Sequence, residues 1–223
     1  IMTHGDDDGI VLPPRVASAH VVLLPIFRKP EERDLVMTFT ENLARDLRSV
    51  SYHERKITVE IDSREIGGTR GWDWIKKGIP LRVEIGPRDI QENAVFVARR
   101  DRSHKEKQSI KRDDFVGGIG AILDDIQKSL FEKALALRTE HTVKVDGKDA
   151  FYSFFTPANP DKPEIHGGFA HSHWCGSADC EKEIKTDLSV TIRCIPLDAP
   201  EELGACVYCG KPSGRRVIFA KSY

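Results

Sequence analysis

HVVLLPI (residues 20–26), an apolar-periodic stretch over 30–50, and KITVEID (56–62) together decide the fold of this 223-residue chain. The first is a continuous apolar run, the pattern of a strand covered on both faces, with Pro25 predicting its end. Leu35, Val36, Phe39, Leu43, Leu47 and Val50 fall at helical spacing, behind Pro30, Glu31 and Glu32 in favoured opening positions. Ile57, Val59 and Ile61 then alternate as a second strand. Strand, helix and strand over this length predict a βαβ unit with parallel pairing and a right-handed crossover.

Outward from this unit, residues 67–89 read as a short helix ending at Gly78 and a strand through Leu81, Val83 and Ile85. AVFVARR (94–100) alternates again, and the polar turn at Glu92 and Asn93 predicts an antiparallel hairpin. Phe115, Ile119, Ile122, Ile126, Leu130, Phe131, Ala134 and Leu137 mark a long helix, whose first turn is weakened by Gly117, Gly118 and Gly120. Residues 1–19 hold three acidic residues and a Pro pair and resemble no complete domain. A boundary near 143–150 precedes a Pro- and Gly-rich loop over 156–168.

The segments beyond that loop (GFAHSHW, a helix candidate over Glu181–Lys185, LSVTIRCIP and RRVIFA) are too short to bury much apolar surface. Metal compensates for a core of that size. Cys175 and Cys180 form C-x4-C, Cys206 and Cys209 form C-x2-C, and 25 residues separate the pairs. Four thiolates complete a closed, structural Zn2+ shell. A disulfide framework is the weaker reading, because a chain of this length can bury a core without such staples. Cys194, in the alternating segment TIRCIP, is expected to be a small buried apolar residue. His171 and His173 lie close enough to suggest a mixed site, but the complete thiolate set leaves them outside the shell.

The formal net charge of −1 excludes a uniformly basic nucleic-acid coat. A local patch remains in RRDRSHKEKQSIKR (99–112), which is either a phosphate-holding surface or a solvated hairpin. With no secretory leader and no membrane-length apolar run, the expectation is a soluble cytoplasmic protein without membrane contacts.

Three stretches carry a resemblance over essentially the whole chain. HGDDDGIVLPPRVA (4–17), KGIPLRVEIGPRD (77–89) and VIFAKSY (217–223) resemble, in order, motif 3, the anticodon-recognition segment and the C-terminal end of prolyl-tRNA synthetases of the archaeal and eukaryote-like type, which are class II aminoacyl-tRNA synthetases. The resemblance implies an α/β fold, a mixed sheet flanked by helices, followed by a small α+β zinc-binding domain. It divides the chain into the end of a catalytic domain (1–19), an anticodon-binding domain (20–143) and a zinc domain (144–223). It implies that Arg15 grips ATP phosphate, a task suited to a planar, permanently charged guanidinium. It places Arg82, Arg88 and Asp89 on the two guanines of the proline anticodon, where Arg donates to O6 and N7 and a carboxylate accepts from N1 and N2.

The same resemblance makes Cys175, Cys180, Cys206 and Cys209 the Zn2+ ligands and sends the Tyr223 carboxylate toward the catalytic domain. The parent enzyme would be a homodimer that joins proline to proline tRNA with ATP and Mg2+ through a prolyl-adenylate. Motifs 1 and 2 and the proline pocket would precede Ile1, so the 223 residues alone are expected not to activate proline. One position departs from the family pattern: Ile75 stands in WIKKG where an acidic residue is usual, with Asp73 as a possible substitute. Trp72 and Trp74 are packing residues or base-stacking platforms. The alternatives are a standalone tRNA-binding or regulatory module and a general zinc-ribbon nucleic-acid binder.

Overall fold

A computed structural model describes residues 3–64, 69–159 and 168–222 and divides the chain into two compact units, Ile1–Ala134 and Leu135–Tyr223. In the first, β1 (Val21–Pro25), α1 (Pro30–Ser49) and β4 (Val59–Ile61) follow the predicted order, with a short pair, β2 (Ser51–Tyr52) and β3 (Arg55–Lys56), that the sequence reading did not include between α1 and β4. Next come α2 (Arg70–Lys76), β5 (Leu81–Ile85), α3 (Pro87–Gln91), β6 (Ala94–Arg99), β7 (Lys107–Lys111) and α4 (Arg112–Glu140), whose residues from Leu135 on are counted with the second unit. The five-stranded sheet has the order β4-β1-β5-β6-β7. β1 pairs in parallel with β4 and β5, while β6 runs antiparallel to β5 and β7, so the sheet is mixed as expected.

Alternation sorts the strand residues between two faces. One face buries Val21, Leu23, Leu81, Val83, Val95 and Val97 against Val36, Leu43 and Leu47 of α1 and Phe115, Ile119, Leu123 and Ile126 of α4. Truncating any one of these Leu or Ile residues to Ala costs about 2–5 kcal/mol. The opposite face packs Val22 and Leu24 on Ala19, Ile79 and Trp74. Leu35 departs from the predicted stripe and is exposed, because the buried side of α1 runs through Val36, Thr40, Leu43, Ala44 and Leu47, and Leu35 turns about 100° away from it. Phe131 and Leu137 of α4 are exposed too. The predicted antiparallel pairing of β5 and β6 is present, and the connection contains α3, which Pro87 opens at its first position, ahead of the polar residues Glu92 and Asn93.

The second unit contains β8 (Thr142–Lys144), α5 (Lys148–Phe155), β9 (Phe169–His173), α6 (Ala178–Leu188), β10 (Val190–Cys194), β11 (Gly204–Ala205), β12 (Pro212–Ser213) and β13 (Arg216–Lys221). A four-stranded sheet of order β10-β13-β9-β8 covers Phe151, Phe155, Ile184 and Phe219, and β11 pairs with β12. Sequence periodicity missed α5, although Phe151 and Phe155, one helical turn apart and edge to face at 5.0 Å, carry its signal. Cys194 is exposed rather than buried, because a register shift between Ile192 and Cys194 breaks the alternation at the strand end. Much of the 156–168 loop lies outside the described residues. No helix among those described is long and apolar enough to cross a membrane.

Candidate metal centre and nucleic-acid interface

Two knuckles bring four thiols together in the second unit. Cys175 follows β9 at a turn where Gly176 adopts φ +85°, and Cys180 sits in the first turns of α6. Cys206 follows β11, and the Gly210 N–H closes the second turn on the Cys206 carbonyl at 2.9 Å, with Gly210 at φ +74°. Both glycines occupy left-handed backbone that a side chain would strain. The four sulfurs lie within 4.8 Å of one another, and Cys175 is 3.7 Å from both Cys180 and Cys209. Metal–sulfur bonds of about 2.3 Å in a tetrahedron give edges of about 3.8 Å, so the arrangement fits one ion of zinc size.

All five cysteines are free thiols. Burial and the neighbouring thiols push Cys180 up to about 12, whereas the Lys211 backbone N–H holds Cys209 down to about 7. A bound cation removes the cost of crowding four sulfurs into one space. His173 is buried beside this cluster and adds no ligand atom; its Nδ1 lies 3.2 Å from Ser213 Oγ, and its backbone carbonyl accepts the Val207 N–H. His171 lies on β9 and is not among the clustered ligands. Arg216 links Glu202, Asp146 and the His171 carbonyl, a network that no local sequence pattern announces.

In the first unit, Arg88 and Asp89 meet at a groove of about 680 Å³ outside the carboxyl ends of β1 and β5, lined also by Phe27, Arg28, Lys29 and Phe96. Asp89 fixes the start of α3 by accepting the Gly86 N–H at 2.8 Å. The structure does not bring Arg82 to this groove. Arg82 sits in the sheet opposite Val22 and Ala98, 5% exposed, on the face that carries Glu84. Burial pulls its pKa down, with Glu84 opposing the effect and Arg100 adding to it. Ile75 is likewise buried, and its carbonyl accepts from Arg100.

The two tryptophans differ. Trp74 packs on the second sheet face and donates to Asp62 at 2.6 Å, while Trp72 is exposed with its ring 4.9 Å from that of His104. Asp73 pairs with Arg64 at 3.0 Å, and Arg64 also pairs with the buried Asp62. Most cations of the 99–112 segment are committed to carboxylates that the fold brings beside them: Arg99 to Asp101 and Asp125, Arg100 to Asp6, Lys107 to Glu84, and Arg112 to Asp46. That leaves little of the segment as a phosphate surface.

Arg15 is exposed on a 3-10 turn (Pro14–Val16), and its backbone N–H donates to Gln127. It lines a cavity of about 520 Å³ with Tyr52, His53, Glu54 and Arg55. Asp124 orders that wall by accepting from Tyr52 and lying 3.0 Å from His53 Nε2. Arg55 holds the turn itself through the Pro14 and Ala17 carbonyls. Tyr223 lies outside the described residues.

Comparison with known proteins assigns both units. Residues 20–122 match the model of the anticodon binding domain, and residues 162–223 match that of the C-terminal domain of prolyl-tRNA synthetase. The whole chain is 49% identical to proline–tRNA ligase 2 of Anaeromyxobacter dehalogenans, 46% to the proline–tRNA ligase of Protochlamydia amoebophila and 43% to that of Bdellovibrio bacteriovorus, covering 44% of each. An anticodon-binding sheet followed by a synthetase's C-terminal domain defines the class. The chain belongs to the prolyl-tRNA synthetase family, of which it carries the anticodon-binding and C-terminal domains. It spans less than half the length of the curated relatives it matches.

Proposed function

We propose that this chain is the tRNA-reading and zinc-holding part of an ATP-dependent proline–tRNA ligase. Residues 1–19 would end the catalytic domain, 20–143 form the anticodon-binding domain and 144–223 the zinc domain. Arg88 and Asp89 read guanine edges of the proline anticodon at the groove, while the buried Arg82 does not line it. Unstacked anticodon bases expose the edges that such side chains read. Cys175, Cys180, Cys206 and Cys209 hold one structural Zn2+. In the parent enzyme, a cytoplasmic homodimer, Arg15 grips ATP phosphate alongside Mg2+, and the Tyr223 carboxylate reaches the catalytic domain.

Adenylate formation from proline and ATP depends on positioning and charge stabilisation rather than on a covalent nucleophile. The 223 residues contain no motif 1 or motif 2, so by themselves they do not activate proline.

The observation that carries this reading is the match of residues 20–122 to an anticodon binding domain whose helix α3 carries Arg88 and Asp89 at one groove. The test is binding of proline tRNA against the same tRNA with both anticodon guanines replaced. Weaker binding of the altered tRNA supports the reading. Equal binding leaves only phosphate contacts and favours a general nucleic-acid binder.

A further inference from the structure

Arg28 and Lys29, on the turn between β1 and α1, line the same groove as Arg88. All three are exposed, and among the described residues none has an ion-pair partner. This contrasts with the 99–112 segment, where carboxylates neutralise most cations. Two acids at the groove are occupied by backbone: Glu32 accepts the Arg28 and Lys29 N–H groups, and Asp89 accepts that of Gly86. Glu92 also lines the groove and offers its backbone carbonyl to Lys111. The Glu32 contacts fix the turn, so the two cations are held side by side at the rim. Half-buried Phe27 and Phe96 line the same groove. Cations flanking aromatic surface form the pattern that holds single-stranded nucleic acid, with charge on the backbone and rings under the bases.

We infer that Arg28 and Lys29 grip the anticodon-loop phosphates, positioning the RNA so that Arg88 and Asp89 meet the base edges. The inference rests on the anticodon reading and deepens it, by separating residues that hold the strand from residues that read it. Phosphate contacts strengthen binding to every sequence alike and steepen its salt dependence, while base contacts set preference.

The test uses the whole chain and two anticodon stem–loop RNAs, one with the proline anticodon and one with its guanines replaced, titrated across salt concentrations. The R28A/K29A double variant is expected to weaken both RNAs equally, by about tenfold, and to flatten the slope of log affinity against log salt by about 1.4, the value for two single-strand phosphate contacts. Preference for guanine should survive, and the R28K variant should retain binding. Unchanged affinity and slope in the double variant, with guanine preference intact in the wild type, overturns the inference and leaves the anticodon reading standing. A loss of preference with an unchanged slope overturns it by making these residues readers. A wild type that ignores the guanine change, or binds neither RNA, overturns the anticodon reading and this inference with it. Circular dichroism of each variant controls for folding.

Discussion

Arg100 grips Asp6 through both terminal guanidinium nitrogens, at 2.7 and 2.5 Å, while itself only 4% exposed. It also donates to the carbonyls of Gly9, Ile10 and Ile75. One buried side chain thus ties residues 6–10 to α2, the helix that precedes β5. The Ile10 and Leu12 N–H groups complete the tie on the Lys76 and Gly78 carbonyls. Arg100→Met leaves a carboxylate and three carbonyls without this donor. We expect a loss of about 3 kcal/mol by urea unfolding, and faster amide exchange at Ile10 and Leu12. Arg100→Lys should recover only part, because an ammonium lacks the planar fork. A stability change within about 0.5 kcal/mol for the Met variant would show that the tie contributes nothing to the fold.

His20 gives the first unit an acid-sensitive element. It is fully buried, and burial, followed by the Arg55 charge, lowers its pKa from 6.5 to about 4. Its Nδ1 accepts the Thr58 N–H, which only a neutral ring can do. Because the folded value lies below the unfolded one, stability is complete above pH 6.5 and declines as pH falls toward about 4. The loss reaches about 3 kcal/mol, beyond which it levels off. A His20→Gln variant should lack this slope between pH 6.5 and 4. An identical slope in the variant would assign the acid sensitivity to other groups.

Gly204 lies against the His173 ring so closely that a Cβ would meet Nε2 at 2.3 Å. The ring is buried and held by Ser213, so it has little room to yield. Gly204→Ala should destabilise the second unit by about 2–3 kcal/mol. It should also speed metal loss to a chelator, since Gly204 lies two residues before Cys206. Adding His173→Ala to Gly204→Ala should restore part of the loss, a non-additive pair. Simple additivity of the two changes would mean that the clash is relieved elsewhere.

Removing metal should unfold the second unit preferentially, because its apolar core is small and the ion would join two otherwise separate knuckles. Elemental analysis is expected to find one zinc per chain, falling to near zero in Cys206→Ser. Chelation should lower the melting temperature of the wild type and leave that variant unmoved. Metal-free protein with an undiminished melting temperature would refute a structural role.

The features legible in the sequence are those set by short-range spacing. The stripe of Val36, Leu43 and Leu47 announced α1, and the C-x4-C and C-x2-C pairs announced a cluster whose sulfurs do converge. Less legible were features set by which face a residue takes once distant strands have paired. Arg82 looked like a surface reader beside Arg88, yet the pleat turns it into the sheet while α3 leaves Arg88 exposed. The sequence left the 99–112 segment open between a phosphate surface and a solvated hairpin, because its partners Asp6, Asp46, Glu84 and Asp125 are remote in sequence. Cys194 escaped because a bulge is not visible in an alternating pattern.

The claim on which the account turns is that Arg88 and Asp89 distinguish guanine in the anticodon. Its most direct measurement is the ratio of dissociation constants for proline anticodon stem–loops with and without guanine, in the wild type and in Arg88→Ala and Asp89→Asn. A good base-edge contact is worth about 1–3 kcal/mol of discrimination, so each variant should reduce the ratio by about tenfold or more while remaining folded. A ratio unchanged in both variants would contradict the account.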